Sequence, residues 1–283
     1  MKTGIYSEAY FSFSDPEKGL LQMKEDGFDC VDFQDLMHTD LPLFTEEIPQ
    51  LEKRMKRVSA AANNAGIEIS QTHGPWRFPP CDATKEDRAE RFDKMERAIV
   101  ATSLLGCPYM VIHPLMPFGV AEERQPQEVW EINLDFFSRL AEKAKENGVI
   151  LCPENMPFPA LSLSSPTDIL RFVSELDSPS VKVCLDVGHA ALFRSPAEAV
   201  RKIGKERLAV LHVHDNNGRH DLHRLPCQGV VDWRSFVLSL KEIGFDGAFS
   251  LECMIGGNFP PEVRRQMNRA TARLASSLAS IGD

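Results

Sequence analysis

Four of the eight histidines, His212, His214, His220 and His223, fall between Leu211 and Trp233, with Asp215 and Asp221 among them. Imidazole nitrogen beside carboxylate oxygen is a donor set that zinc and manganese take. The stretch opens as an apolar strand and breaks into a polar loop, so it can supply one side of a divalent-metal site if other parts of the chain complete it. His212 and His214 are two apart and share one strand face. One of them suffices as a ligand, and the other can support it by hydrogen bonding. His220 reads as an exposed loop residue and Trp233, after Asp232, as a packing residue.

The partners must come from the elements around this stretch. The chain repeats a short apolar run, a polar or Gly/Pro-rich break and a longer stretch with helical spacing, which argues for βα units and a parallel sheet. The runs are Thr3 to Tyr6, Asp29 to Phe33, Ile67 to Thr72, Tyr109 to His113, Val149 to Glu154, Val181 to Asp186, Leu208 to His214 and Ala248 to Glu252. Helical stretches include Glu46 to Ala65, Lys85 to Leu105, Pro126 to Asn147, Pro166 to Leu176, Pro196 to Ile203, Trp233 to Ile243 and Pro261 to Ser280. Gly66, Gly148 and Gly244 stand where three of these should close. The pattern is that of an α/β fold, a single (β/α)8 TIM barrel, with residues 1–283 as one domain.

Such barrels do chemistry where strands end. His73 follows the third run, His113 closes the fourth, Glu154 the fifth and Asp186 the sixth with His189 three residues on; His212 lies in the seventh and Glu252 ends the eighth. A carboxylate at the end of an apolar strand is costly to desolvate unless paired. A metal therefore accounts for Glu154, Asp186 and Glu252 better than internal salt bridges do. Taken singly, His73 and His113 read equally well as hydrogen-bonded core histidines, but their shared level on adjacent strands favours function.

The formal charge of -9 argues against nucleic acid as partner. A small neutral or mildly charged ligand fits better. The first residues lack the apolar core of a signal peptide, and nowhere do about 18 apolar residues run together as a membrane span requires. The expectation is a soluble, cytoplasmic protein without membrane contact. The seven cysteines form no Cys-x-x-Cys pair, which argues against a disulfide framework or a thiolate zinc knuckle. Cys152, Cys184 and Cys253 read as small buried residues.

Taken in order, His73, His113, Glu154, Asp186 with His189, His212 with Asp215, Asp221 with His223, and Glu252 resemble the xylose isomerase-like TIM-barrel superfamily over essentially the whole chain. That group includes sugar isomerases and epimerases, inosose dehydratase-like proteins and the endonuclease IV enzymes. In its ketose 3-epimerases one divalent ion, often manganese, is held by residues matching Glu154, Asp186, His212 and Glu252. The resemblance implies Mn2+ or Zn2+ here, with Mg2+ or Co2+ also compatible. It implies that Glu154 and Glu252 exchange the substrate proton, while His189 and an arginine, Arg219 or Arg224, contact the sugar. In endonuclease IV three zinc ions are held, and the extra ligands match His73, His113, His189, Asp221 and His223. Many relatives are dimers or tetramers, so a homo-oligomer is compatible, although no interface can be read from these residues.

Removing a proton beside a carbonyl needs a Lewis acid across the oxygens and a carboxylate on the proton's path. Cutting DNA needs a grip on a long polyanion. The loops offer Arg77, Arg194, Arg219 and Arg224 but no dense basic surface. The reading is thus a divalent-metal-dependent sugar or cyclitol isomerase or epimerase acting on a small sugar or polyol. The alternatives are an endonuclease IV-like zinc phosphoesterase and a lyase acting on a keto-inositol or glycoside. Two features depart from the resemblance: no arginine aligns clearly at the usual substrate-contacting place after the seventh strand, where Arg219 and Arg224 are both candidates, and one loop is altered. The loop often reading Pro-Gly-x-Gly is Pro226, Cys227, Gln228, Gly229, which puts its backbone shape in doubt. Phe11, Phe33, Trp76, Phe78, Phe118 and Phe158 could line the mouth as an apolar wall or pack beneath loops.

Overall fold

Short runs rich in Val, Ile and Leu form eight strands: β1 (Thr3–Tyr6), β2 (Cys30–Phe33), β3 (Glu68–His73), β4 (Tyr109–Ile112), β5 (Ile150–Pro153), β6 (Val183–Asp186), β7 (Leu208–His212) and β8 (Phe249–Leu251). The computed structural model describes residues 1–121, 125–253 and 259–283, apart from the side chain of Ala9. Between the strands lie α1 (Pro16–Asp26), α2 (Ile48–Ala65), α3 (Lys85–Leu104), α4 (Pro126–Glu146), α5 (Pro166–Leu176), α6 (Val187–Ala191), α7 (Pro196–Ile203) and α8 (Trp233–Glu242), with α9 (Pro261–Ala279) after β8. Gly66, Gly148 and Gly244 stand just past α2, α4 and α8 with left-handed φ of 67, 67 and 70°.

Six strands pair in parallel in the order β5-β4-β3-β2-β1-β8, and β6 pairs with β7. Single bridges, Leu151 to Val181 and Glu154 to Cys184 on one side and Val213 to Leu251 on the other, close the ring into a (β/α)8 barrel. The β5–β6 seam is thin for a covalent reason. Leu151 exchanges backbone bonds with Ser180 and Lys182 across it. The next donor on that side belongs to Pro153, which has no N–H. Asn155 takes over with its carboxamide: Nδ2 donates to Asp186 O (3.0 Å) and Oδ1 accepts from Asp186 N (2.8 Å). A side chain thus continues the ladder at the level where the carboxylates begin.

Strand periodicity places Cys152 with Glu154, Cys184 with Asp186 and Val210 with His212 on the barrel's inner face. Val111, Cys152, Cys184, Ala209 and Val210 pack together as a small apolar plug. Glu154, Asp186 and His212 therefore each stand one inward-facing position beyond a residue of this plug. A larger apolar layer, including Phe28, Phe137, Phe172 and Phe236, fills the space outside the strands. Cys152, Cys184 and Cys253 are buried free thiols, as are Cys30 and Cys107.

Most strands are shorter than expected, and His113, Glu154, His214 and Glu252 lie just past the ends of β4, β5, β7 and β8. Two helices escape the sequence reading, α1 and the single turn α6. The signals for α1 are present: Asp15 caps it by accepting from Lys18 N, Pro16 opens it and Gly27 ends it with φ 110°.

Candidate active site and metal centre

Glu154, Asp186, His212 and Glu252 each offer one ligand atom, and these atoms all lie within 4.8 Å of one another. Asp186 and His212 are registered partners on β6 and β7. Asp186 also caps α6, its Oδ1 accepting from His189 N at 2.6 Å, so one carboxylate fixes the helix turn that presents His189. Nδ1 of His212 lies 3.1 Å from Glu154 Oε1 and 3.3 Å from Glu252 Oε2. The Glu154 side chain is 1% exposed and that of Glu252 is 15% exposed, so the second glutamate faces the opening.

Two further donor groups flank this centre. His73, His113 and Glu154 form one; His189, His214, Asp221 and His223 form the other. Three of these histidines are fixed alike. Nδ1 of His73 donates to Gly74 O, Nδ1 of His189 to Asn155 O and Nδ1 of His223 to Glu252 O, each at 2.8 Å. In the neutral ring that leaves the lone pair on Nε2. Nε2 of His73 lies 3.2 Å from Nε2 of His113, and the Nε2 atoms of His189 and His223 face Asp221 Oδ2 at 3.3 and 3.1 Å. Lone pairs aimed at one another or at carboxylates repel unless a proton or a metal ion lies between them. His223 holds its place with a left-handed φ of 44°, a conformation that costs a non-glycine residue energy and clusters at functional sites.

Without an ion, protons carry that burden. Burial pushes the Glu154 carboxyl up, but His212 and His113 outweigh it and hold it well below the usual carboxylate range. Burial lowers His189 and His223, yet Asp186 and Asp221 raise the first to about 9, and Asp221 and Glu252 raise the second to about 10. Burial brings His113 down to about 4 against the pull of Glu154. Buried atoms still lack hydrogen-bond partners: Glu154 Oε2, Asp186 Oδ2, Asp221 Oδ1, His212 Nε2, His113 Nδ1 and both ring nitrogens of His214. Buried polar groups are normally satisfied. The donor set of carboxylate oxygen and imidazole nitrogen, crowded and under-satisfied, fits divalent cations.

Not every candidate joins the cluster. Arg219 and Arg224 are exposed, and Arg224 donates to Gln228 O at 3.3 Å. Asp215 turns aside, accepting from Trp233 Nε1 at 3.0 Å and from the backbone of Asn216 and Val231. Cys227 itself adopts the left-handed φ of 71°. The aromatic residues divide: Phe33 is fully buried against Phe11, Trp76 packs edge-on to His113 at 4.4 Å, and Phe78 and Phe118 are exposed.

Sequence reasoning missed Asp32, Gln34 and Gln71. All three are buried; Asp32 Oδ2 lies 3.0 Å from His212 Nε2, and Gln34 Nε2 donates to Glu252 Oε1 at 2.6 Å. Asp32, between Val31 and Phe33, carries the same signal as Glu154 and Asp186: a carboxylate in an apolar run.

Among the described residues, no helix is long and apolar enough to cross a membrane. The chain is 26% identical over 278 residues to a D-psicose 3-epimerase of Enterocloster bolteae, spanning 93% of this chain and 86% of that protein. It is 25% identical over 155 residues to an inosose isomerase of Bacillus subtilis, spanning 52% of this chain and 54% of that one. A crystal structure of IOLI protein with a bound zinc atom superposes with a TM-score of 0.75 at 18% identity, covering 99% of this chain and 98% of that chain. Residues 20–273 match the sequence pattern described as the xylose isomerase-like TIM barrel, and the chain belongs to that family.

Proposed function

We propose that the protein is a divalent-metal-dependent isomerase or epimerase of a sugar or cyclitol, with Glu154 and Glu252 as its proton-carrying residues. The observation that carries this reading is the convergence of both glutamates on Nδ1 of His212, at 3.1 and 3.3 Å. Two carboxylates reaching one point from β5 and from the end of β8 can serve the two faces of a substrate carbon lying between them. One removes the proton beside a carbonyl, and the other delivers a proton to the opposite face. Glu154, Asp186, His212 and Glu252 would hold Mn2+ or Zn2+, and when bound the ion acts as a Lewis acid toward the carbonyl and its neighbouring hydroxyl. His189 would orient the substrate. Similarity to a psicose epimerase and an inosose isomerase supports sugar or cyclitol chemistry. The test is proton exchange: with a ketose in heavy water, wild-type protein should introduce deuterium at the carbon next to the carbonyl and E252Q should not. Full exchange in E252Q sinks the assignment.

The two flanking donor groups favour a second reading, a polynuclear zinc phosphoesterase. The net charge of -9 opposes DNA as its substrate. About three zinc ions per chain, with nicking of abasic DNA lost in H113A, would select it; absence of nicking across salt and metal conditions would remove it. A lyase using the same glutamates would announce itself by an unsaturated product.

A further inference from the structure

Beside His212, on β2, Asp32 is a fully buried carboxylate in a strand otherwise made of Cys30, Val31 and Phe33. Its Oδ2 accepts from Gln34 Nε2 at 3.2 Å and from Gln71 Nε2 at 3.1 Å. Each amide has a second proton. That of Gln71 goes to Leu211 O at 3.2 Å and that of Gln34 to Glu252 Oε1 at 2.6 Å. Both carboxamides are therefore saturated as donors, and they clamp one oxygen of Asp32 between β2, β3 and β7. The same oxygen lies 3.0 Å from His212 Nε2. The approach is off the hydrogen-bond axis, since His212 Nε2 and Asp32 Oδ1 are both buried and without hydrogen-bond partners.

The opposite nitrogen of His212, Nδ1, is the atom on which Glu154 and Glu252 converge. A neutral imidazole that turns a lone pair toward a cation must carry its proton on the other nitrogen, and that N–H needs an acceptor. Asp32 is the carboxylate in reach. We propose that Asp32 is a positioning residue that holds His212 as the Nε2–H tautomer, aiming the Nδ1 lone pair at the ion site, and that Gln34 ties this setting to Glu252. This rests on the metal-dependent reading above. Gln34 then makes the orientation of the proton-carrying Glu252 depend on the same anchor. Removing Asp32 would leave His212 free to place its proton on Nδ1, where it would compete directly with the ion.

Histidine-selective 15N NMR on the zinc-loaded chain, with the His212 signals assigned by loss in H212Q, reads the tautomer without reference to activity. The expected pattern is an Nε2–H with a slowly exchanging, downfield proton that is lost in D32N. Zinc affinity, measured by competition with a chelating dye, should weaken by about 10- to 100-fold in D32N and recover in part in D32E. An unchanged tautomer together with unchanged affinity in folded D32N overturns the inference. If D32N does not fold, the wild-type spectrum decides, and an Nδ1–H tautomer overturns it. Failure of wild-type protein to take up any divalent ion sinks the metal-dependent reading and this inference with it, whereas zinc uptake with an unchanged tautomer and affinity in D32N sinks the inference alone.

Discussion

Oε1 of Glu154 stands 3.1 Å from Nδ1 of His212, while Oε2 of the same carboxylate stands 3.1 Å from Nε2 of His113. One side chain thus joins the central donor group to the group built on His73 and His113. Glu252 belongs to the central group alone. Losing Glu154 should therefore cost more bound metal than losing Glu252. At saturating zinc, E154Q is expected to retain fewer ions per chain than E252Q, by elemental analysis after gel filtration. Equal loss in both variants would show that the His73 and His113 group holds no ion of its own.

The barrel and its charged rim were legible because they rest on local rules. Apolar runs at regular spacing gave eight strands, and carboxylates at their ends violate the cost of burial unless a cation or donor meets them. Less legible was anything that depends on how neighbouring strands register. Asp32 carries the signal of a carboxylate in an apolar run, but nothing local says that Gln71 and Leu211 will be brought beside it. The same holds for Asp215, whose motif spacing suggested the site but whose carboxylate is spent on Trp233 and two backbone donors. Nor does sequence tell how closely α6 approaches the His214 ring.

That approach makes a sharp demand at Gly188. A Cβ there would lie 1.9 Å from Cε1 of the His214 ring, which is itself fully buried and stacked on His223 at 4.1 Å. The ring has nowhere to retreat. G188A should be destabilised by about 1–3 kcal/mol through overpacking and should weaken metal uptake at the His189, Asp221 and His223 group. Adding H214A to G188A removes the collision and should restore much of the lost stability. Urea unfolding of the single and double variants measures both effects, and additive losses would sink the explanation.

Asp35 gives a separate handle on stability. Burial lifts its carboxyl from 3.8 to about 6, against the hydrogen bond that Ser7 Oγ donates to it. The folded value is above the unfolded one, so its stabilising contribution is fully present below pH 3.8 and is lost as pH rises through about 6. At pH 8 the folded chain holds a partly desolvated anion. D35N removes that charge and should be more stable than wild type by about 2 kcal/mol at pH 8, with the advantage shrinking between pH 7 and pH 5. Urea midpoints at the two ends of that window test it, and a constant difference across the window would assign the effect to something other than the charge.

His189 and His223, with His212, where burial is outweighed by neighbouring carboxylates that raise it well above its ordinary value, contribute to the pH behaviour of the chain without metal. The first two are raised above the ordinary 6.5, to about 9 and about 10, so the stability of their paired imidazolium forms is fully present below pH 6.5 and is lost as pH rises through those values. Chelated protein should therefore melt at progressively lower temperature between pH 8 and pH 10.5. A divalent ion bound by the Nε2 atoms of these histidines and by Asp221 would replace the protons. The zinc-loaded protein should then lose little or no melting temperature over the same range. Thermal melts at several pH values, with and without zinc, compare the two slopes directly. Parallel slopes would mean that protons remain on His189 and His223 in the presence of zinc, and would remove the outer group as an ion site.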